Sequence, residues 1–351
     1  MYGLLLHVGL PKTATTSLQC NVLMPLHEQR RINFLGRAVR DGVVHDPLER
    51  AIDRVKAGPL SADELRSLRA DLRARLDSRR LNVVSNERIV EVHAKVGGKP
   101  ANEDGRTRLR NLGALFEDCD ATLLITLRSP VDFAFSWYVE QYYWRFHHRD
   151  ERASIGDFFA ELLRQEPGRG PWTVFFYDAY IRAAARIFGR VEVLLYEDLQ
   201  HDRRAWSRTL ARLLPASPEE VESLFPRVKR NAGRYTASGK LSKRLELRRL
   251  LARRLPSLLA WGALARPRLA RAPFALSFLR RLLDLETPAR AAFPYPDAKT
   301  RQRLQARLGL RDDYLSREHG VSEAKLARYG YLAPTGDLVP AEAGAGAARR
   351  P

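Results

Sequence analysis

The chain opens on YGLLLHV, residues 2–8, and runs at once through GLPKTATTSLQ into VLMPL. The apolar run is continuous rather than alternating, the pattern of a strand buried on both faces by covering helices. The residues that follow, up to about Leu26, read as a helix. A strand that feeds a helix through so short a turn commits the chain to an α/β architecture. LNVVSN (81–86), ATLLITL (121–127) and VEVLLY (191–196) repeat the apolar pattern. Helical segments are expected between them at 105–117, 131–146, 154–165, 177–188 and 202–214. Another begins at Ser61, where Glu64 three residues on completes a capping box and Leu65, Leu68, Leu72 and Leu76 keep helical spacing. The expected fold is three-layered, α/β and P-loop-like, with a central parallel sheet whose ligands sit at the strands' carboxyl ends.

Beyond about residue 235 the texture changes. GKLSKRLELRRLLARRLPSLLAWGALARPRLAR is dense in Arg and Lys among Leu and Ala, and reads as a basic helical C-terminal extension. It is either a subdomain with a solvated basic face or a surface for anionic lipid or a charged acceptor. The expected division is a core at 1–235, a basic insert at 236–290, a return to the core domain at 291–335 and a disordered tail at 336–351. With 60 Lys and Arg against 41 Asp and Glu, the formal charge of +19 attracts polyanions without choosing among them. Two cysteines and eight scattered histidines form no CxxC or HExxH pattern, so neither a disulfide framework nor a zinc site is expected. No run approaches the ~20 apolar residues of a spanning helix. The expected location is the cytoplasm, with peripheral contact on an anionic membrane left open by the basic arm.

The turn after the first strand holds Gly9, Pro11 and Lys12, then Thr13, Ala14, Thr15, Thr16 and Ser17. Turn amides and the positive end of the helix dipole converge there, and Lys12 adds a mobile charge. The ATP loop, GxxxxGK followed by Ser or Thr, differs in having a second Gly before its lysine. The bland alternative is an ordinary N-cap turn, in which the hydroxyls only satisfy the first amides. At the end of the third apolar run stands Arg128, with Ser136 eight residues on in the next helix. Arg offers a planar, always-charged fork for phosphate, although it could equally serve a surface carboxylate. Glu87 follows the second run and is suited to take a proton, or simply to begin a helix.

PKTATTSLQ resembles the 5′-phosphosulfate loop of sulfotransferases that use 3′-phosphoadenosine 5′-phosphosulfate (PAPS), and LRSPVDFAFSWYVEQ is similar to their 3′-phosphate motif. The resemblance covers roughly residues 2–235, with a weaker echo near 295–332 in which KLARYGYL is similar to the ending of bacterial members. It implies that Pro11 to Ser17 hold the 5′ end of PAPS, that Lys12 meets the leaving oxygen, and that Arg128 and Ser136 hold the 3′-phosphate. Arg230, Asn231 and Arg234 fall where the family places a loop over that phosphate. Glu87 matches the base of carbohydrate sulfotransferases, with His93 as the other candidate. The product would be adenosine 3′,5′-bisphosphate, with no metal and no specific nucleic acid involved. A carbohydrate or glycolipid hydroxyl is the expected acceptor, and Trp137, Tyr138, Tyr142, Tyr143 and Trp144 are either sugar-stacking surface or core. In the resemblance Tyr196 and Asp198 are structural. The rival readings are a P-loop kinase, which needs the missing Gly and a metal-holding Asp, and a basic protein that binds nucleic acid or membrane.

Overall fold

The computed structural model of the chain describes residues 2–10, 12–40, 43–90, 105–141, 154–167, 171–225, 234–235, 241–246 and 286–333. The four apolar runs are strands: β1 (Tyr2–His7), β5 (Leu81–Ser85), β6 (Cys119–Leu127) and β7 (Arg190–Leu195). A fifth, β2 (Ile32–Phe34), is only three residues long and completes one edge. The sheet has the order β2-β5-β1-β6-β7 and every pairing is parallel. A small antiparallel pair, β3 (Ala38–Arg40) and β4 (Val43–His45), follows β2.

Alternation along each strand sends neighbouring side chains to opposite faces. Leu4, Leu6, Val84, Ile125 and Leu195 join one buried cluster, and Leu5, Val83, Leu124 and Leu194 join the other. The second face is covered by α1 (Thr15–Leu18), a π-helical turn (Gln19–Leu23) and α2 (Met24–Glu28), and later by α10 (Arg203–Leu213) and α11 (Pro218–Leu224). The first receives α3 (Glu49–Lys56), α4 (Ala62–Arg73), α5 (Gly105–Leu115), α6 (Pro130–Gln141), α7 (Ile155–Arg164) and α8 (Tyr177–Phe188). A short α9 (Tyr196–His201) begins directly at the end of β7. The result is a three-layer α/β fold around a parallel sheet. The Ser61 capping box closes in both directions, with Glu64 N–H on Ser61 Oγ and Ser61 N–H on Glu64 Oε2.

In the stretch read as helical from its basic, Leu-rich composition, Leu241–Glu246 is a strand, β9. It pairs antiparallel with β8 (Arg234–Tyr235) on one side and β10 (Glu286–Phe293) on the other. Pairing partner, not local pattern, decides that segment, since Leu241 and Leu245 fit a helical face as well as a strand. Residues 247–285 and 334–351 lie outside the described residues. Three helices, α12 (Ala298–Leu308), α13 (Tyr314–His319) and α14 (Glu323–Arg328), then return to the core, with Leu304, Leu308, Leu315 and Leu326 buried in the first cluster. Among the described residues no helix is long and apolar enough to cross a membrane.

Candidate active site

The carboxyl ends of β1, β5 and β6 meet beneath the loop. Past β1 the backbone stays beside β6, with Val8 N–H on Leu124 O at 3.0 Å and Leu10 N–H on Thr126 O at 3.3 Å. The loop then turns sharply, with Lys12 at φ 72° and Ala14 at φ 64°. Left-handed backbone in non-glycine residues is strained, and alternation with right-handed residues is one way successive N–H groups fold into an anion-binding concavity. Gly9 is required by close approach: a Cβ there would run into Cγ2 of Thr15 and come within 2.8 Å of His7 Nε2.

The loop hydroxyls divide. Thr13 is buried and donates to Leu10 O at 2.6 Å, closing the turn, and Thr15, also buried, donates to Glu87 Oε2 at 2.6 Å. Thr16 and Ser17 remain open to solvent to different degrees. Ala14 is the N-cap of α1 and brings no side-chain cap of its own. Lys12 Nζ pairs with Glu140 Oε2 at 2.8 Å. Glu140 lies on α6 four residues after Ser136, so both share a helix face. Sequence reasoning missed Glu140, although that spacing was the signal for it.

Glu87 opens a 3₁₀ turn (Glu87–Val90) directly after β5. Asn86 links the turn to β1 by donating its N–H to His7 O at 3.3 Å, and its Oδ1 accepts Arg88 N–H at 3.0 Å. Arg88 faces three carboxylates, Asp46, Glu49 and Asp53, which anchor the turn carrying Glu87. Arg128 Nη1 donates to Lys12 O at 3.3 Å, its guanidinium lies 5.0 Å from the centre of the Tyr196 ring, and its Nε is buried with no hydrogen-bond partner among the described residues. Ser136 Oγ donates to Phe133 O at 3.1 Å, so its hydroxyl must rotate off the helix to donate to a phosphate. The structure thus brings together Lys12, Thr13, Ala14, Thr15, Glu87 and Arg128, and places Ser136 on the adjoining helix.

Pro11, His93, Arg230, Asn231, Tyr142, Tyr143 and Trp144 lie outside the described residues, and of Arg234 only the backbone in β8 is described. Trp137 is 0 % exposed and Tyr138 is buried with it among Phe158, Trp172 and Phe175. Of the two alternatives for these rings, core is the one realised. Their helix turns that side to α7 and to the 3₁₀ turn at Pro171–Phe175.

His7 is the unanticipated member. It ends β1 at 1 % exposure, with Nδ1 2.7 Å from Ser85 Oγ and Nε2 2.7 Å from Thr126 Oγ1, while Gln19 from the π-helical turn reaches Ser85 as well. Burial pushes its pKa down to about 3 from 6.5. The folded chain therefore refuses a proton that the unfolded chain accepts below pH 6.5, and stability falls as pH drops from there toward 3. The expected loss is up to about 1.4 kcal/mol per pH unit. Urea midpoints of the wild type should fall more steeply between neutral and mildly acidic pH than those of His7→Gln; parallel profiles would clear His7 of the effect.

A cavity of about 580 Å³, lined in part by Asp120, Arg190, Glu192 and His319, lies at the amino ends of the strands, the opposite end from these groups. Ligands of open α/β sheets bind at the carboxyl ends, which favours the loop side as the site. Among the described residues no group of three or more His, Cys, Asp or Glu is placed to hold a metal ion.

No protein-family model and no curated protein matches this chain. Among solved structures it is similar to a sulfotransferase from Alicyclobacillus acidocaldarius, at 20% identity over 65% of this chain and 87% of that one, with a TM-score of 0.38. It is similar also to a mouse sulfotransferase complexed with PAP, at 13% identity over 63% of each chain and a TM-score of 0.34. A GTPase in apo form from Pyrococcus abyssi aligns at 14% identity over 57% of this chain and 95% of that one, with a TM-score of 0.21. Superpositions this loose bear on neither substrate nor residue roles.

Proposed function

We propose that the chain is a PAPS-dependent sulfotransferase acting on a hydroxyl, with a carbohydrate or glycolipid as the acceptor class. The observation that carries the reading is the link between two cationic grips: Arg128 at the end of β6 donates to the carbonyl of Lys12 in the β1 loop. A nucleotide with anionic groups at both its 5′ and 3′ positions calls for two such grips at fixed separation. The buried Nε of Arg128, without a hydrogen-bond partner among the described residues, the strained loop and the close approach at Gly9 fit such a ligand.

PAPS supplies the sulfuryl group, whose bond to the bridging phosphate oxygen breaks, leaving its electron pair on that oxygen, as the acceptor oxygen bonds to sulfur. Glu87 takes the acceptor's hydroxyl proton, held for that task by the Thr15 hydroxyl. Loop amides around Lys12 and Ala14 hold the 5′ end, and Thr16 and Ser17 are the loop hydroxyls left to assist. Lys12 turns from Glu140 to meet the charge growing on the leaving oxygen, the electrostatic assistance that dominates such transfers. Arg128 and Ser136 take the 3′-phosphate, and any contribution from Arg230, Asn231 and Arg234 adds to theirs.

Thermal shift tests the reading directly. Adenosine 3′,5′-bisphosphate at a hundredfold excess over its Kd should stabilise the fold by about 2.7 kcal/mol. Stabilisation by ATP–Mg²⁺ with none by the bisphosphate would sink it in favour of a kinase. Transfer of radiolabelled sulfate from PAPS onto extracts, followed by identification of the labelled product, then defines the acceptor.

A further inference from the structure

Three consecutive residues at the end of β7 each hold a different neighbour. The ring of Tyr196 lies against the Arg128 guanidinium. Glu197 accepts the backbone N–H of Ser129 on Oε1 at 2.8 Å and the phenol of Tyr331 on Oε2 at 2.7 Å. Asp198 accepts the phenol of Tyr329 at 3.1 Å and lies 3.0 Å from Lys325 Nζ. Two of these three residues therefore reach into the segment Lys325–Tyr331, more than 125 residues further along the chain.

That segment is aimed by its own backbone. Helix α14 ends in a left-handed Gly330 at φ 76°, with Gly330 N–H on Ala327 O and Tyr331 N–H on Leu326 O, the double bond of a Schellman cap. The cap projects Tyr329 and Tyr331 toward β7 and brings Gly330 close to Ser129, where a Cβ would lie 3.4 Å from Oγ. On the other side, Tyr177 donates its phenol to Arg128 O at 2.6 Å. The peptide that carries Arg128 is thus gripped at its carbonyl by Tyr177 and at the following amide by Glu197. Glu197 is 8 % exposed and Tyr177 and Tyr331 are wholly buried. Burial pushes the Glu197 carboxyl up, and the bonds from Ser129 and Tyr331 oppose that rise. Hydrogen bonds to a carboxylate in such dry surroundings are strong and directional.

We propose that Glu197 and Tyr331 are positioning residues for Arg128, through which the Lys325–Tyr331 segment fixes the strand end that aims the guanidinium at the nucleotide's 3′-phosphate. The inference rests on the sulfotransferase reading, which gives Arg128 its ligand. A bidentate fork tolerates little displacement, so a loosened Ser129 amide should degrade recognition of the 3′-phosphate more than that of the 5′ end, where Arg128 makes one bond to Lys12 O.

The test compares calorimetric affinities for adenosine 3′,5′-bisphosphate and adenosine 5′-phosphate in wild type, Tyr331→Phe, Glu197→Gln and Tyr329→Phe. The wild type should prefer the bisphosphate. Tyr331→Phe and Glu197→Gln should narrow that preference about tenfold, the equivalent of one charge-assisted hydrogen bond, with the 5′-phosphate affinity little changed. Tyr329→Phe, which removes a bond to Asp198 and none to Glu197, should keep the preference. Tyr331→Phe retains the buried ring and decides the matter if Glu197→Gln does not fold. An unchanged preference in Tyr331→Phe, or an equal loss for both nucleotides, overturns the positioning role alone. A wild type that does not distinguish the two nucleotides overturns the sulfotransferase reading, and this inference with it.

Discussion

Glu87→Gln is expected to lower sulfate transfer from PAPS by about 10²–10⁴-fold while adenosine 3′,5′-bisphosphate binds within about twofold of wild type, the behaviour of a lost general base. Gln has the shape of Glu, and its amide oxygen still accepts the Thr15 hydroxyl that Glu87 Oε2 accepts at 2.6 Å. The loop therefore keeps its tie to the end of β5. What disappears is a group able to accept a proton. Single-turnover transfer measured alongside calorimetric binding separates the two roles. Should binding fall as far as the rate, Glu87 would be a loop anchor and the base would have to be sought elsewhere.

Gly9→Ala should be the most damaging small substitution in the loop. Its new methyl would run into Thr15 Cγ2 and lie 2.8 Å from His7 Nε2. Neither neighbour moves freely, since Thr15 is tied to Glu87 and His7 is held at both ring nitrogens. Overpacking in such places costs about 1–3 kcal/mol, and the part that gives way is the loop itself. A lower melting temperature together with lost nucleotide binding is the expected result. Adding Thr15→Ser removes the methyl and keeps the hydroxyl, and should recover part of both. Wild-type binding by Gly9→Ala would show that the loop accommodates the methyl and that the close approach is dispensable.

Sequence reading reached the parts of this molecule whose cause is local. β1, β5, β6 and β7 are buried on both faces and so carry continuous apolar runs, and the Ser61 box is written in four residues. β2 is too short to carry a pattern and exists by pairing with β5. The nearness of Lys12, Glu87 and Arg128 to one another was legible because each follows the end of a parallel strand. The work of each hydroxyl was not, because Thr13 and Thr15 turn inward to partners that only the folded loop supplies. His7 was hidden for a different reason. A lone histidine at the end of an apolar strand says nothing, and Ser85 and Thr126 lie 78 and 119 positions away. Parity was the available clue, since each is a polar residue at the carboxyl end of an apolar run, on the strand face of Leu5, Val83 and Leu124.

The Tyr331–Glu197 bond also bears on the order in which the protein can mature. Synthesis runs from the first residue, and structure forms as chain emerges from the ribosome. All five strands of the sheet, the loop and Glu197 are made before α14. Until Tyr331 follows, Glu197 is a carboxylate destined for the interior without its phenol donor. The sheet can assemble early, with Tyr177 and Glu197 already on the Arg128 strand end, but the Tyr331 bond to Glu197 forms only when the distal helices dock. On the positioning role proposed for Glu197 and Tyr331, nucleotide binding would be among the last properties a nascent chain acquires, and a chain released early would carry the loop without its finished counterpart.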